Sequence, residues 1–133
     1  MSWDAYIDSI LTNSEGNADM ACIIGLDGSK WTTDEHRQSL YISSKEIHEV
    51  CTVMLDMEVR SFQENGIWIS GTRYHYLRKF HNMVFGKLTG KGAVTLQKTK
   101  CGLVIAHTPE NKRQAMVNLA VHTVADYLES LDM

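Results

Sequence analysis

The chain has 133 residues and a formal net charge of −3; 44% of it is hydrophobic, 8% aromatic and 22% charged. That length suits one domain, residues 1–133, around one core. The acidic balance argues against a nucleic-acid binder, which needs a basic face, and no apolar run reaches the roughly 18 residues of a membrane span. Asp4 and Asp8 sit near the start where a signal peptide would be basic, so a soluble intracellular protein is expected, not an integral membrane one.

Trp3, Tyr6, Ile7, Ile10 and Leu11 fall on one face of a first helix. Ser2 is placed to cap it, and Asp4 to meet its dipole. Asn13 to Asn17 breaks the helix, Met20 to Leu26 reads as a buried strand, and Asp27-Gly28 turns the chain into a return strand carrying Trp31. Ser43 and Glu46 have capping-box spacing. Ile47, Val50, Cys51 and Met54 then recur at helical period to about Leu55. Asp56 to Asn65 gives no firm pattern.

From Gly66 the pattern changes to short strands: Gly66 to Gly71, Arg73 to Arg78, Met83 to Gly86, Val94 to Thr99 and Leu103 to Ala106, with a Lys87-to-Gly92 loop between the third and fourth. Pro109 ends them, and Asn111 is placed to cap a last helix whose apolar stripe is Met116, Leu119, Ala120, Val124, Tyr127, Leu128 and Leu131. The expectation is an α+β domain: a mostly antiparallel sheet of about six to seven strands flanked by helices, with the aromatic first helix packed beside the last.

Local chemistry is sparse. Gly86-x-x-x-Gly90-Lys91-Gly92 has the wrong spacing for a phosphate loop and lacks its hydroxyl. The six histidines show no metal-binding spacing, and no nucleophile motif is present. The chain is therefore read as a non-enzyme without metal or cofactor. Cys22, Cys51 and Cys101 are far apart with no framework spacing, so they are read as buried free thiols. What stands out is aromatic surface at both ends, in Trp3, Tyr6 and Tyr127. Half-exposed rings of this kind build grooves for polyproline II ligands, packing on pyrrolidines while indole and phenol donors meet bare carbonyls.

Met1 to Tyr6, Ala21 to Trp31, Gly66 to Tyr74, Val94 to Thr99 and Ala125 to Leu128 together, in order and over the whole length, resemble profilin. The resemblance implies a cytoplasmic, cytoskeletal protein that binds monomeric actin, promotes its nucleotide exchange and regulates its polymerisation. It also implies binding of proline-rich proteins such as filament elongators and, more weakly, acidic phosphoinositide headgroups. On that resemblance Trp3, Tyr6, Trp31, Tyr127 and Leu128 form the proline groove. Arg73, His75, Tyr76, Arg78 and Asn118 face actin. Lys87, Lys91, Lys112 and Arg113 attract headgroups, at about 1 kcal/mol per charge near an acidic leaflet.

Two departures stand out. Met133 ends the chain where the family commonly has tyrosine, and Gly86 stands where many members have a basic residue. The rival readings are a relative that keeps the proline groove but has lost actin, and a sensory or trafficking domain with a closed pocket and buried Trp3 and Tyr6.

Overall fold

Ten elements follow one another along the chain, and the computed structural model describes residues 2–133 of it. They are α1 (Ala5–Asn13), β1 (Met20–Gly25), α2 (Ser44–Asp56), α3 (Arg60–Asn65), β2 (Ile67–Ile69), β3 (Thr72–Phe80), β4 (Met83–Leu88), β5 (Gly92–Lys98), β6 (Gly102–Thr108) and α4 (Gln114–Ser130). The strands form one antiparallel sheet in the order β1-β6-β5-β4-β3-β2. Because side chains alternate along a strand, the sheet presents two apolar faces. One packs under α1 and α4 through Ile7, Ile10, Ile23, Val104, Val121 and Leu128. The other packs under α2 and α3 through Ile24, Met54, Phe62, Ile67, Leu96 and Ile105. The terminal helices do lie together on one side, as the aromatic first helix implied.

There are six strands because the return strand after Asp27-Gly28 does not form. Only an isolated bridge joins Ile24 to Lys30. The Thr32 hydroxyl takes the Ile23 N–H at 3.0 Å, and the Ile23 carbonyl takes the N–H groups of both Trp31 and Thr32. The edge of β1 is thus satisfied by a tight loop, which leaves less edge open to pairing with another chain.

The capping box at α2 is present: Ser43 accepts from the Glu46 N–H at 3.2 Å and Glu46 from the Ser43 N–H at 3.0 Å. Glu46 also reaches the β2–β3 turn, accepting from Ser70 N–H at 3.0 Å and Gly71 N–H at 2.8 Å. Both turn residues have positive φ, 52° and 81°, the conformation a two-residue hairpin needs. One carboxylate therefore fastens helix start and hairpin together.

The other helix starts differ from expectation. Ser2 accepts from the Asp4 N–H rather than capping the first turn, and α1 has no side-chain cap. For α4, Asn111 sits at φ 71° outside the helix. The Arg113 N–H that opens it is taken by Asn17, 96 residues earlier in the chain, at 3.0 Å.

His107 joins distant parts of the sheet. Its Nδ1 lies 2.7 Å from Asp19 and its Nε2 2.7 Å from the Lys91 carbonyl. Both partners are acceptors, so the doubly protonated ring fits best. Burial by itself lowers the ring's pKa, but the bonds to Asp19 and Lys91 outweigh it and the net shift is upward. The stability this supplies is complete below the ordinary imidazole value of about 6.5 and is lost as pH rises through the raised one. His107→Gln should therefore lower Tm most at about pH 6 and least at about pH 9, read by thermal melts of both proteins across that range.

Candidate functional site

Four rings form a continuous row where α1 meets α4. Trp3 precedes α1, with its ring centroid 4.7 Å from Trp31 and 5.2 Å from Tyr6; Tyr6 lies 6.3 Å from Tyr127 on α4. The rings are tilted by 37–41°, within the range aromatic pairs favour. Trp3, Tyr6 and Trp31 are half-buried and Tyr127 is exposed, so the row is a surface groove and not a closed pocket. Burial and the neighbouring Tyr127 push the Tyr6 phenol pKa up, which keeps its O–H available as a donor.

The row is held from both sides. Asp4 accepts from the Thr33 N–H at 2.7 Å and from its hydroxyl at 2.5 Å, bonds that lower the carboxyl's pKa. Asp8 meets His36 at 2.8 Å. These two contacts tie the start of α1 to the loop carrying Trp31. Beneath, Trp31 lies over Gly102, which pairs with Gly25 across β1 and β6. A side chain at Gly102 would meet the ring at 2.8 Å and 2.9 Å. At the far end the Met133 carbonyl accepts from Thr99 at 2.8 Å and from the Cys101 N–H, and its side chain packs against the α1–α4 core. Leu128 is fully buried in that core, so it supports the row from below and presents no surface to a ligand.

A second surface lies on the N-terminal half of α4. Arg78, Phe80, Met83, Phe85, Asn118 and Leu119, with Ala115, His81, Asn82 and His122, line an open apolar hollow of about 630 Å³. Leu119 is 64% exposed and Phe80 53%. Arg78 stands over the rings of Phe85 and Phe80, at 5.2 Å and 6.0 Å, a cation–π arrangement that holds the guanidinium at the rim. Asn118 accepts from the Thr95 hydroxyl at 2.5 Å, and His122 pairs with Gln97 at 3.1 Å, so a polar ladder fixes α4 over the sheet here.

Of the five residues expected on this surface, Arg78 and Asn118 meet. A bulge between Tyr76 and Arg78 puts these two residues on opposite faces of the sheet, and Arg73 and His75 lie further along β3, outside the lining of the hollow. Tyr76 packs on the α2–α3 core, and the Arg73 Nε donates to the Asn65 carbonyl at 2.9 Å at the end of α3. His75 is exposed opposite Lys87. Phe80, Phe85 and Leu119 were missed as site residues. The one available signal was Leu119, whose place in an over-wide apolar stripe marked it as surplus to the core.

The basic residues gather only in part. Lys87 and Lys112 line a small hollow beside Thr108 and Gln114. Lys91 and Arg113 are exposed nearby, but Glu110 sits among them, accepting from the Gly90 and Gly92 N–H groups at 2.9 Å and 3.2 Å. Gly86 is not in this loop. It is buried within β4, where a Cβ would meet Ile67 at 2.9 Å, so no basic side chain fits.

Cys22 and Cys51 are buried free thiols, Cys22 with its pKa pushed up to about 12 by burial; Cys101 is exposed, contrary to expectation, because it sits in the β5–β6 turn. Among the described residues no group of His, Cys, Asp and Glu could hold a metal ion, and no helix is long and apolar enough to cross a membrane.

The profilin family model matches residues 1–133. The chain is 38% identical to profilin of Strongylocentrotus purpuratus and 37% identical to that of Suberites domuncula, each match covering the full length of both proteins. Among solved structures, Acanthamoeba castellanii profilin IB superposes with a TM-score of 0.84 at 23% identity, over 99% of this chain and all of that one. A LokiProfilin2 in complex with rabbit actin gives 0.75 at 25% identity, over 98% and 99%. Mouse profilin IIa in complex with a double repeat from the FH1 domain of mDia1 gives 0.75 at 18%, over all of both chains. Whole-length similarity to curated profilins, on the fold those structures share, establishes that this chain belongs to the profilin family.

Proposed function

We propose that this profilin is a bivalent adaptor that holds monomeric actin on the α4 hollow and proline-rich segments in the aromatic row, concentrating monomers where filaments grow. The observation that carries the reading is the separation of two unlike surfaces on one helix: an open row of four rings around Tyr127, and an apolar hollow at 115–122 rimmed by Arg78 and Asn118. The row suits a polyproline II helix, whose backbone has no internal hydrogen bonds and whose rings pack on aromatic faces. The hollow has the apolar centre and polar rim of a protein interface. A profilin related in fold has been solved with actin and another with FH1 repeats, which supports both assignments.

Acidic phosphoinositide headgroups are a weaker third ligand, drawn by Lys87, Lys91, Lys112 and Arg113 and opposed by Glu110. The half-buried state of Trp3 and Tyr6 weighs against the closed-pocket sensory reading.

A proline-decamer resin tests the bivalent reading directly. It should retain the chain and, through it, monomeric actin. Trp3→Ala should release both. Retention of the chain without actin would leave the relative that has lost actin binding as the correct reading.

A further inference from the structure

The α2–α3 side of the molecule carries a third recognition surface that neither the row nor the hollow uses. Trp68 stands on β2, the outermost strand, and is 41% exposed although its neighbours Ile67 and Ile69 are fully buried. A cleft flanks it on each side. One, of about 290 Å³, is lined by Ser43, Lys45, Glu46, Glu49 and Trp68. The other, of about 190 Å³, is lined by Glu49, Phe62, Asn65 and Trp68 among others. Trp68 and Glu49 are shared by both, so an indole and a carboxylate form the ridge between them. Neither cleft shares a residue with the hollow.

The charge around this ridge is one-sided. The charged residues that line the two clefts are Glu46 and Glu49 against Lys45, and the other lysines that reach α2, Lys79 and Lys98, donate to carbonyls at its far end. Glu49 makes no ion pair among the described residues. Glu46, only 8% exposed, is held by backbone N–H groups and likewise meets no cationic side chain. Two positive groups bear on the ridge. Lys45 is at the rim of the first cleft with no ion pair, and Arg73, cross-strand partner of Trp68, is turned to the Asn65 carbonyl and lines neither cleft.

A cation on an indole face beside an unopposed carboxylate is a favourable arrangement, and arginine is the side chain that satisfies both, stacking its plane while forking its donors to an acid. From this we infer that the Trp68–Glu49 ridge docks an arginine-containing basic segment of a partner protein, with the guanidinium on Trp68 and its donors on Glu49. Its position leaves both proposed ligand surfaces free, so the third partner binds alongside them.

Anisotropy of a labelled octa-arginine peptide, titrated with the full chain at low salt, reads this out, with octa-glutamate as the opposite probe. Octa-arginine should bind and octa-glutamate should not. Trp68→Ala and Glu49→Lys should each weaken octa-arginine by about fivefold or more, and Trp68→Phe should recover part of the loss. Glu35→Lys, which makes the same charge change at an exposed site away from the ridge, should weaken it by less than twofold. Unchanged proline-decamer binding certifies that each variant is folded. Equal losses from Glu35→Lys and Glu49→Lys, or an unaltered affinity in Trp68→Ala, would reduce the surface to diffuse charge and overturn the proposal, as would preferential binding of octa-glutamate.

Discussion

Gly102→Ala should weaken proline binding while leaving the proposed actin surface intact. The added Cβ would stand 2.8 Å and 2.9 Å from two ring atoms of Trp31, closer than carbon atoms can approach. On its other side the Thr99 hydroxyl is 3.2 Å away and is itself bonded to the Gly102 N–H and the Met133 carbonyl. That side is fixed, so the indole must move. Once Trp31 leaves, Trp3 loses the neighbour 4.7 Å from it and the row is shortened from four rings to three. Affinity for a proline decamer should fall by about tenfold or more, or roughly 1.4 kcal/mol, measured by tryptophan fluorescence titration. Actin binding, some distance away on the other half of α4, should be unchanged. A wild-type decamer affinity in this variant would show that Trp31 is not part of the ligand surface.

Leu119→Asp should have the opposite selectivity. Leu119 lines the hollow and is 64% exposed, so its replacement costs the free protein little; exposed substitutions usually stay within about 0.5 kcal/mol. In a complex, however, the carboxylate would be desolvated among Phe80, Phe85 and Met83 with Arg78 at the rim. Truncation of a central anchor typically costs about 2 kcal/mol, and burying an unpaired charge adds to that. Actin affinity should therefore drop by about thirtyfold or more, read from its effect on actin polymerisation kinetics, with Tm and decamer binding preserved. Full retention of activity would move the actin surface off α4.

Features of this fold that depend on near neighbours were readable from sequence. The Ser43–Glu46 capping box, the α2 period and the glycine-bounded strands all rest on residues a few positions apart. What was not readable depends on pairings across the sheet. The bulge at Leu77 leaves no mark in the pattern Arg73 to Arg78, yet it decides that Arg78 joins Asn118 while Tyr76 joins the opposite core. The α4 stripe was too wide because an apolar residue on a docking surface looks like one facing the core. Leu119, Tyr127 and Leu131 are exposed, and Leu128 is buried. Asp4 carries the same lesson, since a first-turn acid was expected to serve its own helix and instead holds Thr33.

Helix α4 is secured at one end by Asn17 and at the other by the turn between β5 and β6. The first attachment spans 96 residues and the second 34. Both proposed ligand surfaces are complete only once α4 docks on the sheet. Until it does, Trp3 and Tyr6 have no Tyr127 beside them and the hollow has no Leu119. The molecule thus gains both proposed ligand surfaces with the docking of one helix, and a chain with α4 undocked would compete for neither partner.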